Sequence, residues 1–183
     1  MKNEIFAISG VSTGGKSTIL MDLDKAVSPM GKPLEVMTSY VTRDLRFENE
    51  PFRRHLTIEE YAQQTGNGEY LQSITYNNNH YCVRKDDVEN ALSKGHHVLV
   101  DCIAEGIRQF QQHYSVKAVF IFASPKELNQ RHLKRGSAME DRRWRLQNSM
   151  QELEEALNSG LFDLFINNTD LARSEKKILF YLD

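Results

Sequence analysis

The sequence predicts an α/β layered fold built on a parallel sheet. Three observations point there. Short apolar runs recur at wide intervals, segments with helical spacing or helix caps lie between them, and a glycine loop joins the first run to the first helix candidate. Short unbroken apolar runs suit strands covered on both faces, and strand alternating with helix is the pattern of parallel crossovers.

The first run, Ile5 to Ile8, leads into Gly10, and a helix candidate from Ser17 to Ala26 follows. Leu34 to Met37, Val98 to Val100, Val116 to Phe122 and Leu164 to Ile166 are the later strand candidates. Ser124-Pro125 with Glu127 beyond reads as an N-cap, an N1 proline and an N3 acid. Leu146, Met150, Leu153 and Leu157 make one apolar stripe at four-three-four spacing, closed by Gly160. Asp170 is placed to cap a last helix through Ile178 and Leu179. From Ser39 to about Arg84 the rhythm breaks into polar, irregular sequence. Thr57 and Glu60 there have capping-box spacing, and Tyr70 to Tyr76, Asn77-Asn78-Asn79 and Tyr81 to Val83 read as a hairpin. This stretch is expected to form an insert sitting on the sheet.

Composition narrows the function. The 183 residues fit one domain, and 40% of them are hydrophobic, enough for a core. A formal net charge of -2 lacks the basic excess of a general nucleic-acid binder, so no nucleic-acid partner is expected. There is no run of eighteen apolar residues, so no membrane helix is expected, and the stretch Ile5 to Ile8 is too short for a signal-peptide core. Cys82 and Cys102 form neither a metal pattern nor a disulfide framework, which makes a reduced, cytoplasmic protein the default.

Gly10-Val11-Ser12-Thr13-Gly14-Gly15-Lys16-Ser17 matches G-x-x-x-x-G-K-[ST], between a strand candidate and a helix candidate as that motif requires. Glycines let the backbone wrap an anion, and the helix N-terminus adds its positive end. Gly10, Ser12, Thr13, Gly14, Gly15, Lys16, Ser17 and Thr18 are the candidate ATP ligands. Lys16 would span the β and γ phosphates and Ser17 would ligate Mg2+. Asp101 closes the run His97 to Val100, where acids meet ligands in open parallel sheets. It either holds a magnesium-bound water or caps the next helix.

With these elements in place the chain resembles the guanylate kinase family of nucleoside monophosphate kinases over nearly its whole length. Ser39-Tyr40-Val41-Thr42-Arg43-Asp44-Leu45-Arg46 is similar to the family's S-x-x-T-R-x-x-R acceptor motif. Asn67-Gly68-Glu69-Tyr70-Leu71, Asn79-His80-Tyr81 and the segment from Val88 to Gly95 follow its pattern. So do Leu133-Lys134-Arg135-Gly136-Ser137, Arg145-Leu146 with Glu152 beyond, and Phe165-Ile166-Asn167-Asn168.

The resemblance implies a P-loop kinase fold with five parallel strands in the order 2-3-1-4-5. It implies a core over residues 1–38, 85–125 and 147–183, an acceptor-binding insert over 39–84 and a helical lid over 126–146. ATP would donate to a nucleoside monophosphate, GMP or dGMP first among them, by a monomer or homodimer. Arg43, Arg46 and Tyr81 would hold the acceptor phosphate and Ser39 would touch its base, with Asp101 nearby. Arg135 and Arg145 would close over the transferring phosphoryl group, and Arg131 and Asn168 would serve ATP. Unaided physics agrees in part, since two arginines three residues apart offer forked donors to one dianion. The alternative for Arg131 and Arg142 is an exposed basic face paired with Glu127 and Glu140.

Departures from the family pattern stand out. Val11 and Thr13 replace Pro and Gly in the loop, which leaves open a different backbone path at position 13. Phe52-Arg53-Arg54-His55 does not align with the aromatic expected there. Gln72 replaces the acid that reads guanine, Ile103 replaces the second acid of the strand end, Glu105 stands where Gln is usual, and Cys82 follows Tyr81. A Gln amide offers one acceptor and one donor to guanine's two adjacent donors. Two other readings therefore remain: a kinase of a sugar phosphate such as ribose 1,5-bisphosphate, with Gln72 and Ile103 in its favour, and a binding-only module, with the intact Lys16-Ser17 pair against it.

Overall fold

A strand that is apolar on both faces needs cover on both faces. β1 (Ile5–Gly10) meets that condition: Ile5 to Ile8 are all buried. In the computed structural model, which describes residues 4–24, 26–29, 31–136 and 138–182, the chain then runs through α1 (Lys16–Leu23), β2 (Leu34–Val36), β3 (Ser39–Val41) and β4 (Arg53–His55). Next come α2 (Ile58–Gly66), β5 (Tyr70–Tyr76), β6 (Asn79–Arg84), α3 (Lys85–Ser93), β7 (His97–Asp101) and α4 (Ala104–Gln111). The last elements are β8 (Val116–Phe122), α5 (Pro125–Lys134), α6 (Met139–Asn158), β9 (Leu164–Asn167) and α7 (Leu171–Tyr181). Lys25, within the first helix candidate, and Ser137, within the lid motif, lie outside the described residues, as do Met1 to Asn3.

Five strands form one parallel sheet in the order β2-β7-β1-β8-β9, which is 2-3-1-4-5 counted along the chain. Alternation along β1 divides the core. Ile5 and Ala7 pack with Val98, Val100, Ile107 and Phe110 on one face, under α3 and α4. Phe6 and Ile8 pack with Leu99, Ile19, Leu23 and Ile178 on the other, under α1 and α7. A third cluster, Val11, Phe120, Leu128 and Ala156, seats α5 and α6 beside the glycine loop.

Local chemistry sets the element ends. Ser124 and Glu127 close a reciprocal capping box on α5, and Thr57 and Glu60 do the same on α2. The Asp170 carboxylate accepts from the Arg173 N–H at 2.9 Å and caps α7. α1 stops at Leu23, short of Ala26, with Asp24 as its C-cap. The apolar stripe on α6 is covered only in part: Leu146 and Leu153 pack on the third cluster, while Met150 and Leu157 are exposed. The buried positions between them are Ser149 and Ala156, so the face that packs is turned one residue back from the stripe.

The polar stretch forms a second sheet, β4-β3-β6-β5, in which β3 and β4 run parallel and the rest antiparallel. The β5–β6 turn uses Asn77 and Asn78 at φ 48° and 58°, the left-handed pair that a two-residue hairpin requires. β3 and β4, three residues each, carry Ser39, Arg53 and Arg54, too short and too polar to read as strands from sequence.

Candidate active site

The glycine loop is shaped by close approach. Gly10 lies against β8 so tightly that a Cβ would sit 2.1 Å from the Ile121 carbonyl oxygen. Gly15, at φ 97°, is the N-cap of α1 and supplies no side-chain cap. No acid stands in the first turn of α1, so its leading N–H groups face an open anion site. Ser12, Ser17 and Thr18 are exposed around that mouth, and Gly14 is buried with its N–H on the Val11 carbonyl at 3.1 Å. Thr13 takes φ 59°, the left-handed region, so a threonine adopts the path that suits glycine.

Lys16 crosses this mouth. Its ammonium lies 3.4 Å from Asp101 Oδ1 and 3.4 Å from the Gly10 carbonyl. Arg53 of β4 pairs with the other Asp101 oxygen, so one strand-end carboxylate holds a cation from each sheet. Burial alone would raise the Asp101 pKa, but Lys16 and Arg53 outweigh it and the carboxyl stays below its ordinary value. The cap of α4 falls at Ile103 with no side-chain bond, so Asp101 does not cap that helix. Glu152 of α6 is pushed up chiefly by burial, opposed by the field of Lys16.

A second cation group lies in the insert. Arg43 donates to both oxygens of Glu50, at 2.9 and 2.8 Å, and to the Asp44 carbonyl at 2.7 Å. The Arg46 N–H donates to Glu50 at 3.0 Å, while the Arg46 side chain is largely exposed. Hydrogen bonds from Arg43 hold the Glu50 carboxyl down to about 2 despite its burial. Tyr81 of β6 neighbours Arg43 as well. Arg43 and Arg46 are thus gathered around an internal carboxylate, with Tyr81 beside Arg43. Ser39 is buried in β3, its N–H on the Phe52 carbonyl at 2.9 Å. Gln72 is also buried: its amide donates to the Tyr81 carbonyl at 3.4 Å and lies against Gly106 of α4, enclosed rather than lining an open surface.

On the far side of the loop, Arg131 donates to the carbonyls of Thr13 at 3.2 Å, Gly14 at 2.9 Å and Asn168 at 2.5 Å. Asn168 Nδ2 donates to the Gly14 carbonyl at 2.8 Å, and its Oδ1 is buried without a partner. Arg131 is therefore tied to main chain, not to Glu127, which serves the α5 cap instead. A cavity of about 420 Å³ opens here, lined in part by Thr13, Thr18, Arg131, Lys134, Arg135 and Asn168. Arg135, the C-cap of α5, is exposed at its edge. Arg145 instead faces Asp141 on its own helix at 3.6 Å, and Arg142 keeps a buried Nε with no partner.

Sequence reasoning missed Arg53, Glu50 and His132. Arg53 left one visible signal, an arginine pair in the stretch that failed to align. The donor set suits Mg2+: Ser17 offers an exposed hydroxyl, and Asp101, both oxygens taken by cations, is left to act through water. Among the described residues no group of three or more His, Cys, Asp or Glu could hold a metal by itself, so phosphate and water would complete the shell. No helix among the described residues is long and apolar enough to cross a membrane.

Comparison with known proteins extends this geometry. The family model for guanylate kinase matches residues 2–183. A guanylate kinase of Desulfotalea psychrophila is 30% identical over 94% of this chain and 85% of its own length. One from Helicobacter pylori is 33% identical over 96% of this chain and 84% of its own. The crystal structure of guanylate kinase from Anaplasma phagocytophilum shares the fold, with a TM-score of 0.71 at 22% identity over 99% of this chain and 85% of that one.

Proposed function

The chain belongs to the guanylate kinase family, and on that premise we propose that it transfers the γ-phosphoryl group of ATP to GMP, giving GDP and ADP. It is a nucleoside monophosphate kinase. The observation that carries this reading is Lys16, held by Asp101 at the mouth of a glycine loop whose helix N-terminus is open to an anion.

Phosphoryl transfer needs little covalent help, so positioning and charge neutralisation do most of the work. Lys16 and the loop N–H groups would hold the ATP phosphates, with Thr18, Arg131 and Asn168 on the nucleoside side. Arg43, Arg46 and Tyr81 would take the acceptor phosphate in exchange for Glu50. Ser39 lies on the base side, and Gln72 can meet a base only if the hairpin and α4 part. Arg135 and Arg145 of the lid, 126–146, would add charge when it closes on the insert, 39–84, over the core, 1–38, 85–125 and 147–183. Mg2+, held by Ser17 and through water by Asp101, would neutralise the developing charge. The two buried free thiols suit a reducing compartment, and we place the protein in the cytoplasm.

The test is ADP and diphosphate formation with ATP and Mg2+ against GMP, dGMP, IMP, AMP and ribose 1,5-bisphosphate. GMP is expected to give the highest kcat/KM. Turnover with none of the nucleoside monophosphates overturns the reading.

A further inference from the structure

Thr13 is out of place in conformational terms. A β-branched residue at φ 59° is strained wherever it occurs, and such strain persists only when its surroundings over-determine it. The surroundings here are specific. Thr13 Oγ1 lies 2.6 Å from the Ser12 carbonyl oxygen, which can only accept, so the hydroxyl proton points there. The remaining lone pairs of Oγ1 face His132 Nε2 at 3.1 Å, so that nitrogen carries a proton and donates. His132 is 2% exposed, one residue beyond Arg131, whose guanidinium holds the main-chain carbonyl of the same Thr13. Consecutive side chains of α5 therefore grip residue 13, one by its side chain and one by its backbone.

We propose that His132 is a positioning residue for the phosphate loop, donating to the Thr13 hydroxyl and so fixing a threonine in the left-handed turn that aims the loop N–H groups at the nucleotide. The proposal rests on the kinase reading and deepens it. α5 is capped at its own start by the Ser124–Glu127 box, which sets where the helix begins and so where Arg131 and His132 stand against the loop. Burial, then the fields of Arg145 and Arg135, push the His132 pKa below its ordinary value, opposed by Asp141. A neutral imidazole protonated on Nε2 fits that setting.

The test is a double-mutant cycle read by calorimetric ATP affinity, by KM for ATP and GMP, and by Tm. His132→Ala should weaken ATP about tenfold and move KM for GMP less than about twofold, because only the donor loop loses its support. His132→Gln, which places an amide N–H near the same spot, should restore most of the affinity. Thr13→Gly relieves the strain, so adding His132→Ala to it should cost less than about twofold. An equal cost in both backgrounds, or a lowered Tm with ATP affinity unchanged, overturns the proposal. Should His132→Ala fail to fold, Thr13→Val removes the hydroxyl and leaves the imidazole in place; it should weaken ATP similarly, and unchanged affinity overturns the proposal. A wild type that binds ATP but phosphorylates no acceptor overturns the kinase reading instead and leaves this one standing on the binding data.

Discussion

At the scale of single residues, charge placement decides the expected behaviour. Lys16→Ala should lower kcat by at least about a hundredfold, because it removes the cation aimed at the phosphates. Its Tm should move only a few degrees, since Asp101 keeps Arg53. Near-normal turnover by a folded Lys16→Ala protein would remove the role assigned to the loop. Glu50 makes a prediction about acid stability. Its folded pKa of about 2 lies below the ordinary carboxyl value of 4.5, so its contribution is full above 4.5 and is lost as pH falls from there through 2. The size is on the order of 2–3 kcal/mol, since the carboxylate is mostly buried. Urea unfolding across that window should show a steeper loss for wild type than for Glu50→Gln; equal slopes would assign the acid sensitivity elsewhere. The strand–loop–helix setting of Lys16 and Ser17 was legible in the sequence because the motif is local. Glu50 and Arg53 were not, because each matters only through a partner that folding brings beside it.

At the scale of elements, the caps and apolar runs were the legible part. Val116 to Phe122 was read as a strand at its full extent, and the capping boxes of α2 and α5 were visible as residue pairs. The α6 stripe shows the limit of periodicity. Ala156 packs with Val11 and Phe120, where a small residue permits close approach, and Ser149 is buried too, while Met150 and Leu157 face outward. A hydropathy pattern registers large side chains and overlooks small ones. Ser124→Ala tests what the α5 cap contributes. Losing the box should cost about 1 kcal/mol of stability by chemical denaturation. It should also raise KM for ATP more than KM for GMP, because α5 carries Arg131 and His132 to the loop. A loss of stability with both KM values unchanged would show that the cap serves folding alone.

At the scale of the whole molecule, Arg53 joins the two sheets at Asp101. Arg53→Ala should raise KM for GMP at least about fivefold and KM for ATP far less, since it loosens the insert and leaves the loop in place. Equal changes for both substrates would place Arg53 on the donor side. The strand order carries a consequence for synthesis. β1 is made first yet lies at the centre, and its neighbours β7 and β8 are translated only after the whole second sheet. A chain leaving the ribosome therefore holds Ile5 to Ile8 and the phosphate loop without a flanking strand until His97 and then Val116 emerge. Asn168, which closes on Gly14, arrives later still. The phosphate loop is thus translated well before the strands and the Asn168 contact that complete its surroundings, so any protection that ATP gives arrives late in synthesis, and the central strand waits uncovered until then.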